Sequence, residues 1–313
     1  MSTNTPPSVP PLGPLAAFTG TWSGPGFNTI FRPNSSVTPT QFPNNPTEGP
    51  TDNVLQLNIT QETLTFSAAL GSVPNRAFLP GQADIFLNGV PYAQSVFDVT
   101  DPAVPPSSIH FEPGLWVIVP PTVNPPESQG TVVRMGSIPH GTTIEAQGTF
   151  ATFPGGPQID PVNITPFPIG QPNQPIPFPS QQANLNNTLR IPQVLPPTIT
   201  QDMLNNPNSV LTEAIAGQNI ISTTVLNIST VAAPPLAGGG TDNILFLQGS
   251  GGSAPSGPNA NAVQMTAVFW IETVQRKDGS TFTQIQYTQT VFLNFNGLTW
   301  PHVSVATLTQ TAP

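Results

Sequence analysis

The chain reads as an all-β protein: a closed antiparallel β-barrel of about ten strands, with one short helix and a proline-rich insertion. Three observations carry this. Charged residues make up 7% of the chain, against roughly 25% in an average soluble protein, and helices ordinarily carry charged outer faces. There are 42 prolines, which interrupt both helices and interior strands. Runs rich in Val, Ile, Leu, Phe and Thr stop at Pro, Gly and Asn clusters, the pattern of strands and turns.

In chain order, residues 1–17 form a proline-rich arm. From Thr21 to Phe153 short strands follow one another. "NVLQLNITQETLTFSAAL" alternates apolar and polar positions, and "IHFEPGLWVIVPP", "GTVVRMGSIP" and "GTTIEAQGTFATF" continue the series. Residues 154–207 are too dense in proline for regular elements, and Ile164, Phe167, Ile169, Ile176 and Phe178 give this insertion an apolar side with which to wrap the barrel. "NSVLTEAIAGQ", Asn208 to Gln218, has a polar cap, an early Glu and a Gly stop, and predicts the helix. Strands resume with "IISTTVLNISTV", "NILFLQG", "QMTAVFWIETV", "TFTQIQYTQTVFLNF" and "WPHVSVATL", interrupted between Ala233 and Ala260 by two Gly- and Pro-rich loops. "RKDGST" is a hairpin turn in which Asp278-Gly279 supplies the positive φ. No fixed-period repeat is visible, so the series predicts one closed barrel, a single domain over 1–313, rather than a propeller or solenoid.

Composition also excludes functions. Six basic residues are scattered among fifteen acidic ones. Nucleic acid, which requires clustered cations, and anionic membrane surfaces are therefore not expected partners. Without cysteine there are no disulfides, thiolate metal sites or thiol nucleophiles. The opening residues have neither the cationic nor the apolar region of a secretory signal, and no window approaches the ~18 apolar residues of a spanning helix. The expected location is cytoplasmic.

One of three histidines lies in the last strand, "GLTWPHVSVATL". Alternation places Trp300, His302, Ser304, Ala306 and Leu308 on one face and Val303, Val305 and Thr307 on the other. Small neighbours leave room beside the imidazole for a flat ligand. Two roles suit it: a core imidazole bonded to backbone, or a ligand to a metal or to haem. The spacing of the three histidines makes no zinc motif, whereas haem asks the protein for one imidazole.

Three stretches, in order, carry a resemblance to a known family. "GTWSGPG" (Gly20 to Gly26) resembles the Gly-x-Trp-x-Gly-x-Gly opening of the nitrobindins, β-barrel haem proteins. "SIHFEPGLWVIVPPT" resembles their His-x-Glu-x-Gly strand, and "HVSVATL" resembles their closing strand, whose histidine is the proximal iron ligand. Where the family opening continues with Gly and Tyr-Pro, this chain has Asn28, Ile30 and Phe31. The resemblance implies haem b (iron protoporphyrin IX), held non-covalently with His302 on iron. It also implies nitric oxide binding and reaction with peroxynitrite; a weak peroxidase is a further expectation.

His140, in the turn "SIPHGTT", is the candidate for the distal side, as a sixth ligand, a hydrogen-bond donor or a surface turn residue. His110 shares a strand face with Glu112 and is expected to form a structural pair. Trp22 is expected to plug the barrel base or stack on haem, and Arg32 and Arg134 are the candidate partners for propionates. The competing expectations are a haem-free barrel carrying a lipophilic small molecule and a structural coat protein.

Overall fold

The computed structural model describes residues 9–34, 53–77, 81–124, 126–127, 129–138, 140–186, 189–232, 239–248 and 260–311. Ten long strands dominate: β1 Gly20–Pro33, β2 Asn53–Phe66, β3 Ile85–Asp98, β4 Ser107–Val119, β5 Thr131–Ile138, β6 Thr142–Pro154, β7 Asn219–Ser229, β8 Asn261–Gln275, β9 Thr281–Phe295 and β10 Leu298–Gln310. Each pairs antiparallel with the next in sequence, and β10 pairs antiparallel with β1 to close the ring. The result is the expected all-β closed barrel, of up-and-down topology. Closure leaves its ten strands without a free edge. Short strands at Val73–Asn75, Phe167–Pro168, Arg190–Ile191 and Gly240–Asn243 extend individual barrel strands.

The two ends of the barrel differ. At the end where β1 begins, a 3-10 turn at Gly13–Ala17 buries Leu15. Close by, Phe18 stacks on Phe66 at 4.5 Å and meets Trp116 edge-on at 5.5 Å. This aromatic plug fills one side of that end. The opposite end holds the starts of β4, β6 and β10 and the finish of β1, β3 and β5.

Between β6 and β7 the insertion lies on the outside of the barrel. Phe178 packs against Phe31 (5.9 Å) and Trp300 (5.3 Å), and Ile164, Leu204 and Leu211 are buried. Ile169 and Ile176 remain exposed. With only two short ladders, at Phe167–Pro168 and Arg190–Ile191, this segment satisfies many of its carbonyls otherwise. The buried Arg190 guanidinium donates to the backbone oxygens of Ser180, Gln182, Leu185, Pro192 and Gln193. The expected helix at 208–218 is confined to α2, Ser209–Ala214, preceded by α1, Gln201–Asn205, which Thr200 caps by accepting from Met203 N–H. "NILFLQG" was expected as a strand. Pairing with β6 ends at Asn243, and Leu245–Gln248 forms one helical turn, α3, instead. The "RKDGST" hairpin joins β8 to β9 with Gly279 at φ 85°. Much of the two loops between Ala233 and Ala260, and the first residues of the N-terminal arm, lie outside the described residues.

Candidate functional site

Strand parity decides what faces the lumen. Tyr287 and Gln289 on β9 point inward, and the register carries that face across to Ser304 and Ala306 on β10 and to Asn28 and Gly26 on β1. His302 therefore projects inward with Ser304, on the face expected from alternation. It lies near the end at which β10 starts, opposite Val291. The same end holds His110, near the start of β4, and His140, in the β5–β6 turn, where Gly141 takes φ 107°. Their rings lie 5.5 Å apart. Three imidazoles from distant parts of the chain thus gather at one mouth of the barrel. Val291, Met265, Ile228 and Ile144 supply apolar side chains on neighbouring strands at that end.

His302 does not stand alone on its face. Its Nε2 lies 2.8 Å from Asn28 Oδ1, which also accepts from Ser304 Oγ at 2.8 Å. The space expected beside the imidazole is therefore partly taken by Asn28, one of the positions at which the chain departs from the nitrobindin opening. Burial, and then the proximity of His110 and His140, push the His302 pKa down to about 3. The ring is neutral at physiological pH, the form in which imidazole ligates metals.

Below this layer the lumen is polar. Arg134, 2% exposed, donates to Glu112 Oε1 (2.8 Å), Tyr92 Oη (2.9 Å), Gln289 Oε1 (2.7 Å) and Gln94 Oε1 (3.4 Å). Tyr92 donates to Glu112 Oε1, and His110 Nε2 lies 3.3 Å from Glu112 Oε2, the pairing their shared face implied. Burial pushes the Glu112 carboxyl up, but Arg134, His110 and Tyr92 outweigh it and hold it at about 2. Next to this ion pair Glu62 accepts from Tyr287 (2.5 Å), Gln94 (3.1 Å) and Thr60 (3.1 Å). Its pKa is raised by burial, with those three bonds opposing. Gly26 makes room for this carboxylate, because a Cβ there would come within 2.8 Å of Glu62 Oε1.

The candidate residues thus divide by depth. His302, His140 and Arg32 belong to the end at which β10 starts, Arg32 lying four positions beyond Asn28 on the same strand face. Its pKa is lowered to about 10 by burial. Arg134 is committed to the polar layer beneath. Trp22 is six positions from Asn28 in the other direction, about 20 Å along the strand. It is buried, with Nε1 donating to Thr19 O. That places it at the plugged base, away from the histidines. At this base a cavity of about 470 Å³ is bounded by the Gly13–Ala17 turn, Phe150, Ile271 and hydroxyls that include Thr152, Thr224 and Thr273.

Among the described residues, no group of three or more His, Asp or Glu side chains is disposed to hold a bare metal ion, and no helix is long and apolar enough to cross a membrane. Compared with protein-family models and with curated protein sequences, the chain matches none.

Proposed function

We propose that the histidine end of the barrel binds haem b, with His302 as the axial ligand to iron, in the manner of the nitrobindins that three of its strands resemble. The observation that carries this reading is the gathering of His302, His110 and His140 at one mouth. The donor set fits. His302 offers a neutral, inward-facing imidazole, and haem brings its own four nitrogen donors and needs one more. Apolar Val291, Met265, Ile228 and Ile144 suit a porphyrin face, and Arg32 is the cation this end would offer a propionate. Bound haem would supply an iron centre for nitric oxide, peroxynitrite or peroxide. His110, anchored by Glu112, and His140 beside it are the groups available to hold or move a proton there.

The test is a hemin titration of the purified protein followed by visible absorption. The parent should develop a Soret band at one equivalent, and His302→Ala should lose or shift it while keeping a β-rich far-ultraviolet spectrum. A parent protein that stays colourless with added hemin overturns the proposal. The second reading, a haem-free carrier, draws on the cavity at the plugged base. It predicts uptake of an uncharged, partly apolar molecule that His302→Ala leaves unchanged.

A further inference from the structure

The hydrogen bond on His302 belongs to a longer chain with a defined direction. Asn28 Nδ2 donates to Asn58 Oδ1 at 3.2 Å, and Asn58 Nδ2 donates to Asp98 Oδ2 at 2.8 Å. The other carboxylate oxygen of Asp98 accepts from Thr100 N–H (2.9 Å) and Thr100 Oγ1 (2.6 Å), and Thr100 Oγ1 accepts from Ile59 N–H (2.8 Å). Asn28 and Asn58 are both buried.

An amide alone could face either way. An ionised carboxylate only accepts, so Asp98 fixes the Asn58 amide with its NH₂ outward to the carboxylate. Asn58 Oδ1 must then face Asn28, which fixes that amide in turn. Asn28 Oδ1 is left facing His302, and an oxygen there requires a proton on Nε2.

We propose that Asp98, acting through Asn58 and Asn28, locks His302 with its proton on Nε2, so that ligation through this nitrogen requires Asn28 to release it. Asn28, Asn58 and Asp98 are positioning residues: they touch no ligand but decide which ring nitrogen has a free electron pair. The lock rests on the haem reading for its consequence, not for its existence. In the haem-free protein it sets the tautomer. In the haem-binding protein it opposes loading by the worth of one hydrogen bond, about 1 kcal/mol, or about fivefold in affinity.

Two measurements test it. Long-range ¹H–¹⁵N spectra of the hemin-free protein should show His302 protonated on Nε2, and Asn28→Ala and Asp98→Asn should each shift the ring toward a mixture of tautomers, with His110 and His140 signals reporting an intact barrel. Hemin titration should then give Asn28→Ala an affinity about fivefold higher than the parent. Predominant protonation of His302 on Nδ1 in the parent overturns the lock. So does a tautomer unmoved by Asp98→Asn, or an Asn28→Ala affinity equal to or below that of the parent. If neither parent nor variant takes up hemin, the haem reading falls and the tautomer spectra alone decide the lock.

Discussion

Glu272 offers the sharpest measurement of an internal cost. It lies on β8, opposite Gln284 on β9 and Thr223 on β7, on the outward face, and is fully buried. Gln284 Nε2 donates to one carboxylate oxygen, while the other, Oε1, has no hydrogen-bond partner among the described residues. Burial raises its pKa from 4.5 to about 7, with the Gln284 bond opposing. The unfolded chain gives up this proton near pH 4.5 and the folded chain near 7, so between these values the folded state binds more protons and stability falls as pH rises. The interval of about 2.5 converts at 1.36 kcal/mol each to about 3 kcal/mol. That is an upper figure, because local opening around the carboxylate relieves part of it. Glu272→Gln keeps the shape and removes the ionisation. Urea unfolding should find the variant about 2 to 3 kcal/mol more stable than the parent at pH 8, and the two nearly equal at pH 4. Glu62 titrates with the same sign but cancels in the comparison. A difference that does not change between pH 4 and pH 8 would refute the reasoning.

Two further perturbations address the polar layer and the insertion. Glu112→Gln leaves the fully buried Arg134 without its counter-charge and should destabilise by about 3 to 5 kcal/mol in chemical denaturation; a loss under 1 kcal/mol would mean that Tyr92, Gln289 and Gln94 suffice for the guanidinium. Phe178→Ala removes the ring that joins the insertion to Phe31 and Trp300. It should cost about 3 to 5 kcal/mol and expose 155–200 to limited proteolysis, which the parent should resist.

The barrel was legible because its signals are local. Short runs bounded by Pro, Gly and Asn clusters are the strands, the Asp278-Gly279 pair is the β8–β9 turn, and a period of two puts His110 beside Glu112 and His302 inward. The polar layer was not read, because each strand contributes only one or two polar residues and the partners are distant in sequence. Tyr287 and Glu62, for example, are 225 positions apart. A trace of it is present, since Arg134 shares its strand face with Val132 and Ile138. Following parity would have drawn Arg134 inward rather than to a rim. Asn28 illustrates a different limit. It departs from the nitrobindin opening, but its bond to His302 depends on the β1–β10 seam, whose register no short stretch encodes.

That seam gives the barrel an order of assembly. Nine of the ten strand pairings join neighbours in the chain, while the tenth joins Trp22 to Gln310 and Asn28 to Ser304. Until β10 docks, β1 and β9 present open edges, and His302 has neither Asn28 nor a lumen to face. Ring closure and site completion are therefore a single event: a partly folded chain that exposes those sticky edges cannot display a finished histidine cluster, and one that displays the cluster has already hidden its edges.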